Sequence, residues 1–256
     1  MNSLIKSPRE IEKMRHAGGI LARVLSQLAS VAEEGMTGRD LDALARDLIV
    51  KGGGTPAFLG YQPAGAQRPF PAALCISFNE VVVHGVPTSR RLRSGDLVKL
   101  DLGVRYDGYC ADAAVTVGVG TIAPQRRKLI EAAERALDAA IAQARSGNTL
   151  GDIGAALSRE VKRHGFRVVK GLTGHGIGRE VHEEPTVLNE GVPGRGLTLA
   201  PGMVLAIEPM VSAGSKRIVQ RPDESYATED WSFASHAEHT VLITDGEPEI
   251  LTTSAP

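Results

Sequence analysis

One run of helix caps and strands is written twice along this chain, and that repetition limits the fold more than any single motif. Ser7-Pro8-Arg9-Glu10 places a hydroxyl at an N-cap, proline at the first helical position and glutamate at the third. Ile11, Met14, Ala17, Leu21, Val24, Leu25 and Leu28 then recur at helical spacing. Thr37 and Asp40 cap a second helix with Leu41, Leu44, Leu48 and Ile49 as its apolar stripe, stopped by Gly52-Gly53-Gly54. Further on, Pro124 opens a helix carrying Leu129, Ala133, Ala136, Leu137, Ala140 and Ile141, expected to end near Gly147. Thr149 and Asp152 cap another, which closes at Gly165. G-M-T-G-R-D-L-D-A from Gly35 matches G-N-T-L-G-D-I-G-A from Gly147 at one constant offset, in glycine, threonine, aspartate and alanine. The plain alternative is chance recurrence of a common cap; the constraining one is an internal duplication of a helix, helix, strand unit.

The strand regions repeat as well. Ser94-Gly95-Asp96-Leu97-Val98-Lys99-Leu100-Asp101 parallels Pro201-Gly202-Met203-Val204-Leu205-Ala206-Ile207-Glu208: a turn, an aliphatic run, then a carboxylate. Val83-His84-Gly85-Val86-Pro87 echoes Val181-His182-Glu183-Glu184-Pro185. Each half thus supplies a histidine and a strand-borne acid, and a site between the halves would draw on both.

Composition narrows the function classes. At 256 residues the chain buries a core large enough to need no structural metal, so any metal here is functional. The 29 basic and 30 acidic side chains leave a net charge of -1, with no basic excess to attract nucleic acid or anionic lipid. No apolar run approaches a membrane span, no signal-peptide pattern stands at the start, and Cys75 and Cys110 are the only cysteines. The expectation is a soluble, cytoplasmic protein whose thiols are reduced and mostly buried.

The chemistry begins in a hairpin. From Leu97 to Val117 the alternation reads as two strands around Asp107-Gly108. If Tyr106 pairs with Tyr109, Gly103 lies opposite Asp112, and Asp101 shares its face; a one-residue bulge would pair Asp101 with Asp112 directly. Either way two carboxylates converge among apolar residues. Such a pair repels unless a cation lies between them or one takes a proton, and solvated hairpin acids are the third reading.

Other residues add to the metal reading. Leu172-Thr173-Gly174-His175-Gly176-Ile177-Gly178 encloses a histidine in glycines, which lets backbone approach a ligand and the imidazole project freely. Glu208 ends an apolar strand and Glu238 precedes another; a buried glutamate without a partner is costly. The candidate ligands are therefore Asp101, Asp112, His175, Glu208 and Glu238. Four carboxylates balance two divalent ions, oxygen-rich ligation with one imidazole suits Mn, Fe, Co or Zn, and the set is that of a two-metal hydrolase.

At these residues the sequence resembles the type I methionine aminopeptidases. Asp, ten residues, Asp is followed by G-H-G-I-G-R-E-V-H-E-E-P, P-G-M-V-L-A-I-E-P-M and A-E-H-T, and the resemblance runs from about Ile11 to Leu251. It implies an α+β pita-bread (creatinase/aminopeptidase) fold: two pseudo-symmetric halves, about 8–120 and 121–251, around a curved antiparallel sheet, forming a single catalytic domain over 1–256. By the same resemblance Asp101 is a bidentate ligand of one metal, His175 and Glu208 bind the other, and Asp112 and Glu238 bridge. His84 contacts substrate near the scissile nitrogen and is a proton-transfer partner there, His182 donates to the scissile carbonyl, and Glu208 shuttles a proton from the metal-bound water, whose bridging hydroxide attacks the first peptide bond. Phe58, Tyr61, Phe70 and Cys75 line the cup for the methionine side chain. The implied activity is removal of the initiator methionine from nascent proteins with a small second residue, so the chain's own Met1-Asn2 terminus is expected to stay uncut.

The sequence departs from the family at the pocket. Val181 stands where an aromatic is usual, Gln62 to Ala73 is long and proline-rich, and Trp231 falls later than the expected tryptophan, whose place Ser225 and Tyr226 take. The rivals are a proline-specific aminopeptidase, whose relatives carry a large N-terminal domain that this chain lacks, and an inactive peptide-binding module on the same fold, which would have lost ligands. Type II enzymes carry a long insertion between the Glu208 and Glu238 positions, where only 29 residues intervene here. Arg90, Arg91, Arg93 and Arg126-Arg127-Lys128 read as solvated surface or as a contact to the ribosome. The partners expected are N-terminal peptides, for a monomer with two divalent cations.

Overall fold

The computed structural model describes residues 4–63 and 65–253; Met1 and Asn2, the terminus expected to stay uncut, lie outside the described residues. The four anticipated helices are α1 (Pro8–Val31), α2 (Gly38–Lys51), α3 (Pro124–Ile141) and α4 (Leu150–Arg163). Three begin in reciprocal caps. The carboxylates of Glu10, Asp40 and Asp152 accept the backbone N–H of Ser7, Thr37 and Thr149 at 2.8, 2.9 and 2.8 Å, which satisfies donors that a helix start otherwise leaves open. α3 starts on Pro124 alone, after Ala123. It also ends at Ile141 rather than near Gly147, because Gln143 and Ala144 bond back three residues to Ala140 and Ile141. That tightening turns buried Ala144 into the core before the chain reverses through Gly147.

The hairpin Leu97–Tyr106 and Tyr109–Gly118 has Tyr106 opposite Tyr109 and Gly103 opposite Asp112, with no bulge, so Asp101 faces Ala114. Strands Leu74–Phe78 and Thr55–Pro56 pair with Leu97–Tyr106 to complete one sheet. Leu100, Leu102 and Val104 pack with Leu21, Leu28, Leu41 and Ile49 beneath α1 and α2. A second antiparallel sheet runs Glu249–Ile250, His239–Leu242, Val204–Ile207, Gly174–Gly176, Glu183–Val187. Its core joins Leu205, Ile207 and Val241 to Leu129, Leu137, Ile153 and Leu157 of α3 and α4. Helices cover one face of each sheet, and the sheets join edge to edge at the Ala114–Glu238 bridge, so that their helix-free faces line one cavity in the pita-bread arrangement.

The seam between them is short and specific. Ala114 and Glu238 form an isolated antiparallel bridge, with Glu238 N–H donating to Ala114 O at 2.9 Å. On one side Thr240 Oγ1 accepts from Asp112 N–H at 2.9 Å and donates to Asp112 O at 2.8 Å. On the other, Thr116 Oγ1 accepts from His236 N–H at 2.9 Å and donates to His236 O at 2.7 Å. Each hydroxyl stands in for the peptide group that the opposite strand cannot bring close enough. Asp112 and His236 are therefore held in equivalent ways, one from each half.

Because Thr240 is fully buried, Thr240→Val leaves the N–H and C=O of Asp112 unmet, at about 1–3 kcal/mol for each group. For a chain of this size that lowers the melting temperature by about 5 °C or more. Thr240→Ser, which keeps the hydroxyl, should recover most of the loss; equal melting of the Val variant and the parent protein in calorimetry would show that the seam bond contributes nothing.

Candidate active site

Every residue singled out for the site lines one cavity of about 800 Å³ between the halves: Phe58, Tyr61, Phe70, Cys75, His84, Asp101, Asp112, His175, His182, Glu208 and Glu238. Asp101 and Asp112 arrive on the open face of the hairpin. Glu208 follows strand Val204–Ile207, His175 lies in Gly174–Gly176, and Glu238 is the bridge residue of the seam.

The glycines around His175 serve the protein backbone rather than a ligand. A Cβ on Gly176 would stand 2.1 Å from Glu184 O, and one on Gly174 2.4 Å from Ala206 O. They let neighbouring strands close on either side of the imidazole. His175 Nδ1 meets Gly176 O at 2.9 Å; a carbonyl only accepts, so the proton is on Nδ1 and the Nε2 lone pair is open. That Nε2 lies 3.5 Å from Glu208 Oε1.

The electrostatics are those of stranded negative charge. Burial raises the carboxyls of Asp101 and Glu208 to about 7. It carries Asp112 and Glu238 well above the carboxylate range, with the neighbouring acids adding to the effect. Asp112 Oδ1 and Glu238 Oε1 are buried and find no hydrogen-bond partner among the described residues. Donor atoms of Asp112, His175 and Glu238 lie within 4.8 Å of one another, and so do those of Glu208, His236 and Glu238. Unmet carboxylate oxygens beside an imidazole lone pair fit a divalent cation, which would let these acids ionise in place.

His84 and His182 open onto the same cavity. Desolvation by its walls, followed by neighbouring imidazoles, lowers them to about 4 and about 3, so both are neutral. His84 sits at φ 59°, an uncommon backbone for a residue with a Cβ. His182 Nδ1 lies 2.7 Å from the Tyr61 hydroxyl, whose pKa burial raises.

The long segment after Tyr61 leaves the cup intact. Phe70 N–H donates to Tyr61 O at 2.8 Å and Gly60 N–H to Phe70 O at 2.9 Å, so the extra residues loop out and Phe70 returns beside Tyr61. Arg68 reaches from this loop across the mouth to Pro222 O at 2.9 Å and toward Glu224 at 3.5 Å. Val181 is fully buried beside Phe58 and Cys75. Trp231 is 68% exposed and away from the cavity, whereas Tyr226 lines it with its ring edge-on to His84 at 5.7 Å.

Two polar residues at the site escaped the sequence reading. Lys99 is buried two residues before Asp101 and donates to Asn79 O at 2.7 Å; burial lowers it to about 7. His236 is 1% exposed and lies 3.3 Å from Glu208 Oε2. The signal for both was period two, since each stands two residues before a candidate ligand on the same strand face.

Residues 12–245 match the model of metallopeptidase family M24. The chain is 44% identical to a methionine aminopeptidase of Clostridium acetobutylicum over 251 residues, 97% of this chain and 98% of that one. The crystal structure of methionine aminopeptidase from Thermotoga maritima superposes with a TM-score of 0.93 at 41% identity, covering 98% and 99% of the two chains. The prolidase from Pyrococcus furiosus shares the fold at a TM-score of 0.75 and 26% identity, but this chain covers only 66% of it.

A cation added to metal-stripped protein should raise its stability by about 2.7 kcal/mol at a hundred times its dissociation constant. The expected readout is a rise in melting temperature of about 5 °C or more with cobalt or manganese. An unchanged transition would show that the buried acids hold no cation.

Proposed function

The chain belongs to metallopeptidase family M24 as an aminopeptidase that removes N-terminal methionine, and from that premise we propose that Asp101, Asp112, His175, Glu208 and Glu238 hold two divalent cations against the first peptide bond. The observation that carries the proposal is that the carboxyls of Asp112 and Glu238 gather with His175, and that of Glu208 lies 3.5 Å from the His175 Nε2, in a cavity that Asp101 also lines, with oxygens of Asp112 and Glu238 left unmet. Asp112 and Glu238, from either side of the seam, would be held in common by both ions; Asp101 would serve one ion, and His175 and Glu208 the other. Bound cations supply hydroxide near neutral pH and polarise the scissile carbonyl. Cobalt, manganese, iron and zinc all suit this donor set.

The chain's own groups do the rest. The protonated Tyr61 hydroxyl donates to His182 Nδ1, so neutral His182 carries its proton on Nε2 and can donate to the carbonyl oxygen as charge develops there. His84 contacts the substrate near the scissile nitrogen. Glu208 takes a proton from the attacking water and returns it to the departing amine. Phe58, Tyr61, Phe70 and Cys75 form the cup for the methionine side chain, and the Arg68 strap narrows the mouth against bulky second residues.

The substrates are the N-termini of newly made proteins, handled by one catalytic domain of two related halves. Among the described residues no helix is long and apolar enough to cross a membrane, and both cysteines are free and buried; the reading is a cytoplasmic enzyme. Contact with the ribosome would fall to Arg93, Arg127 and Lys128, because Arg90 pairs with Asp96, Arg91 with Gly35 O and Arg126 with Gly95 O.

Cation-loaded protein should release methionine from Met-Ala-Ser and spare Met-Lys-Ser. Cleavage of an Xaa-Pro peptide with Met-Ala-Ser untouched would replace this reading by the proline-specific one. Asp112→Ala should abolish turnover and lower cation content together. His182→Ala should keep its cations while kcat falls on the order of 100-fold or more; loss of metal in that variant would place His182 among the ligands.

A further inference from the structure

His236 is a buried histidine with no role in the reaction outlined above. It ends strand Ala234–His236, pairs with Met210, and has its backbone clamped by Thr116, which fixes the point from which the ring enters the site. Neither ring nitrogen has a hydrogen-bond partner among the described residues. Nε2 stands 3.3 Å from Glu208 Oε2 and 4.0 Å from Glu238 Oε2.

Two roles fit an imidazole placed there: cation ligand, or donor to a ligand. The contrast with His175 decides between them. A ligating histidine almost always donates its other N–H to a carbonyl or carboxylate, which exposes the ligating lone pair. His175 does so through Gly176 O, and His236 Nδ1 has no such acceptor. An Nε2 lone pair facing a carboxylate would be repelled, whereas an Nε2–H is attracted.

The geometry points to His236 as a positioning residue: its Nε2–H donates to Glu208 Oε2 and turns Oε1 toward His175 Nε2. Glu208 is then gripped between two imidazoles, one donating to it and one sharing its cation. This rests on the reading of Glu208 as a metal ligand. The short misalignment closes when the carboxylate is drawn into place, as site hydrogen bonds often do on loading. His236 thereby supplies a hydrogen-bond donor to a carboxylate that, among the described residues, has only His175 beside it otherwise, since the bond from Asn189 goes to the Glu208 backbone carbonyl.

The test uses the full chain, stripped of metal and titrated with cobalt, as parent protein, His236→Gln and His236→Leu. Calorimetry gives affinity, and proton spectra of the cobalt-loaded protein count solvent-exchangeable, contact-shifted imidazole N–H signals. The parent should show one such signal, from His175. Gln retains a donor and should bind cobalt close to the parent; Leu should lose about tenfold or more in affinity with the same single signal. Circular dichroism confirms that the variants are folded. A second shifted signal in the parent, lost in His236→Gln, would make His236 a ligand and overturn the proposal, and this arm does not depend on the Leu variant folding. Parent-like affinity in folded His236→Leu would overturn it as well. A parent protein that binds no cobalt would instead remove the metal reading of Glu208, and this inference with it.

Discussion

Two threonine hydroxyls join the two sheets at the seam from which the site is built. Thr116 and Thr240 each satisfy both polar groups of a facing peptide, at His236 and Asp112, on either side of the Ala114–Glu238 bridge. Direct strand pairing over that length would bring the sheets together as a flat ladder. The hydroxyl spacers leave room for side chains to leave the seam on the same side, and Asp112, Glu238 and His236 do so. Position 114 is alanine, 2% exposed, where a larger side chain would fill the space the acids enter.

That seam explains how the fold tolerates so much buried negative charge. Desolvation of an ionised carboxylate costs several kcal/mol even after relaxation, so four of them in one cavity wall would not persist as ions without compensation. With protein groups alone, the carboxyls keep their protons up to neutral pH or beyond. Divalent cations held there would reverse the balance and turn a destabilising cluster into one that ties the halves together. Stability and catalysis in this account therefore share one set of residues, and the hydrogen bonds behind them, from Gly176 O to His175 and from the threonines to Asp112 and His236, are part of the site.

Much of this was legible in the sequence because local rules agree with the final packing. Ser7/Glu10, Thr37/Asp40 and Thr149/Asp152 mark helix starts through bonds that span three residues, and Asp107-Gly108 fixes the hairpin register over which Asp101 and Asp112 share a face. Features set by contacts between segments separated along the chain were less visible. The end of α3 depends on Ala144 reaching the core, and the glycines beside His175 answer to carbonyls of strands distant in sequence. The return of Phe70 to Tyr61 is a backbone pairing across a loop whose length alone suggested disruption. His236 was overlooked because its significance lies in Glu208, which precedes it in the chain by a full hairpin.

The central claim is that Asp101, Asp112, His175, Glu208 and Glu238 are one dinuclear metal centre, and anomalous diffraction from crystals grown with manganese tests it most directly. The account predicts two anomalous peaks per chain among these five side chains, with Asp112 and Glu238 touching both. A cavity without a peak at saturating manganese, or a single peak that leaves Asp112 or Glu238 unbound, would contradict it.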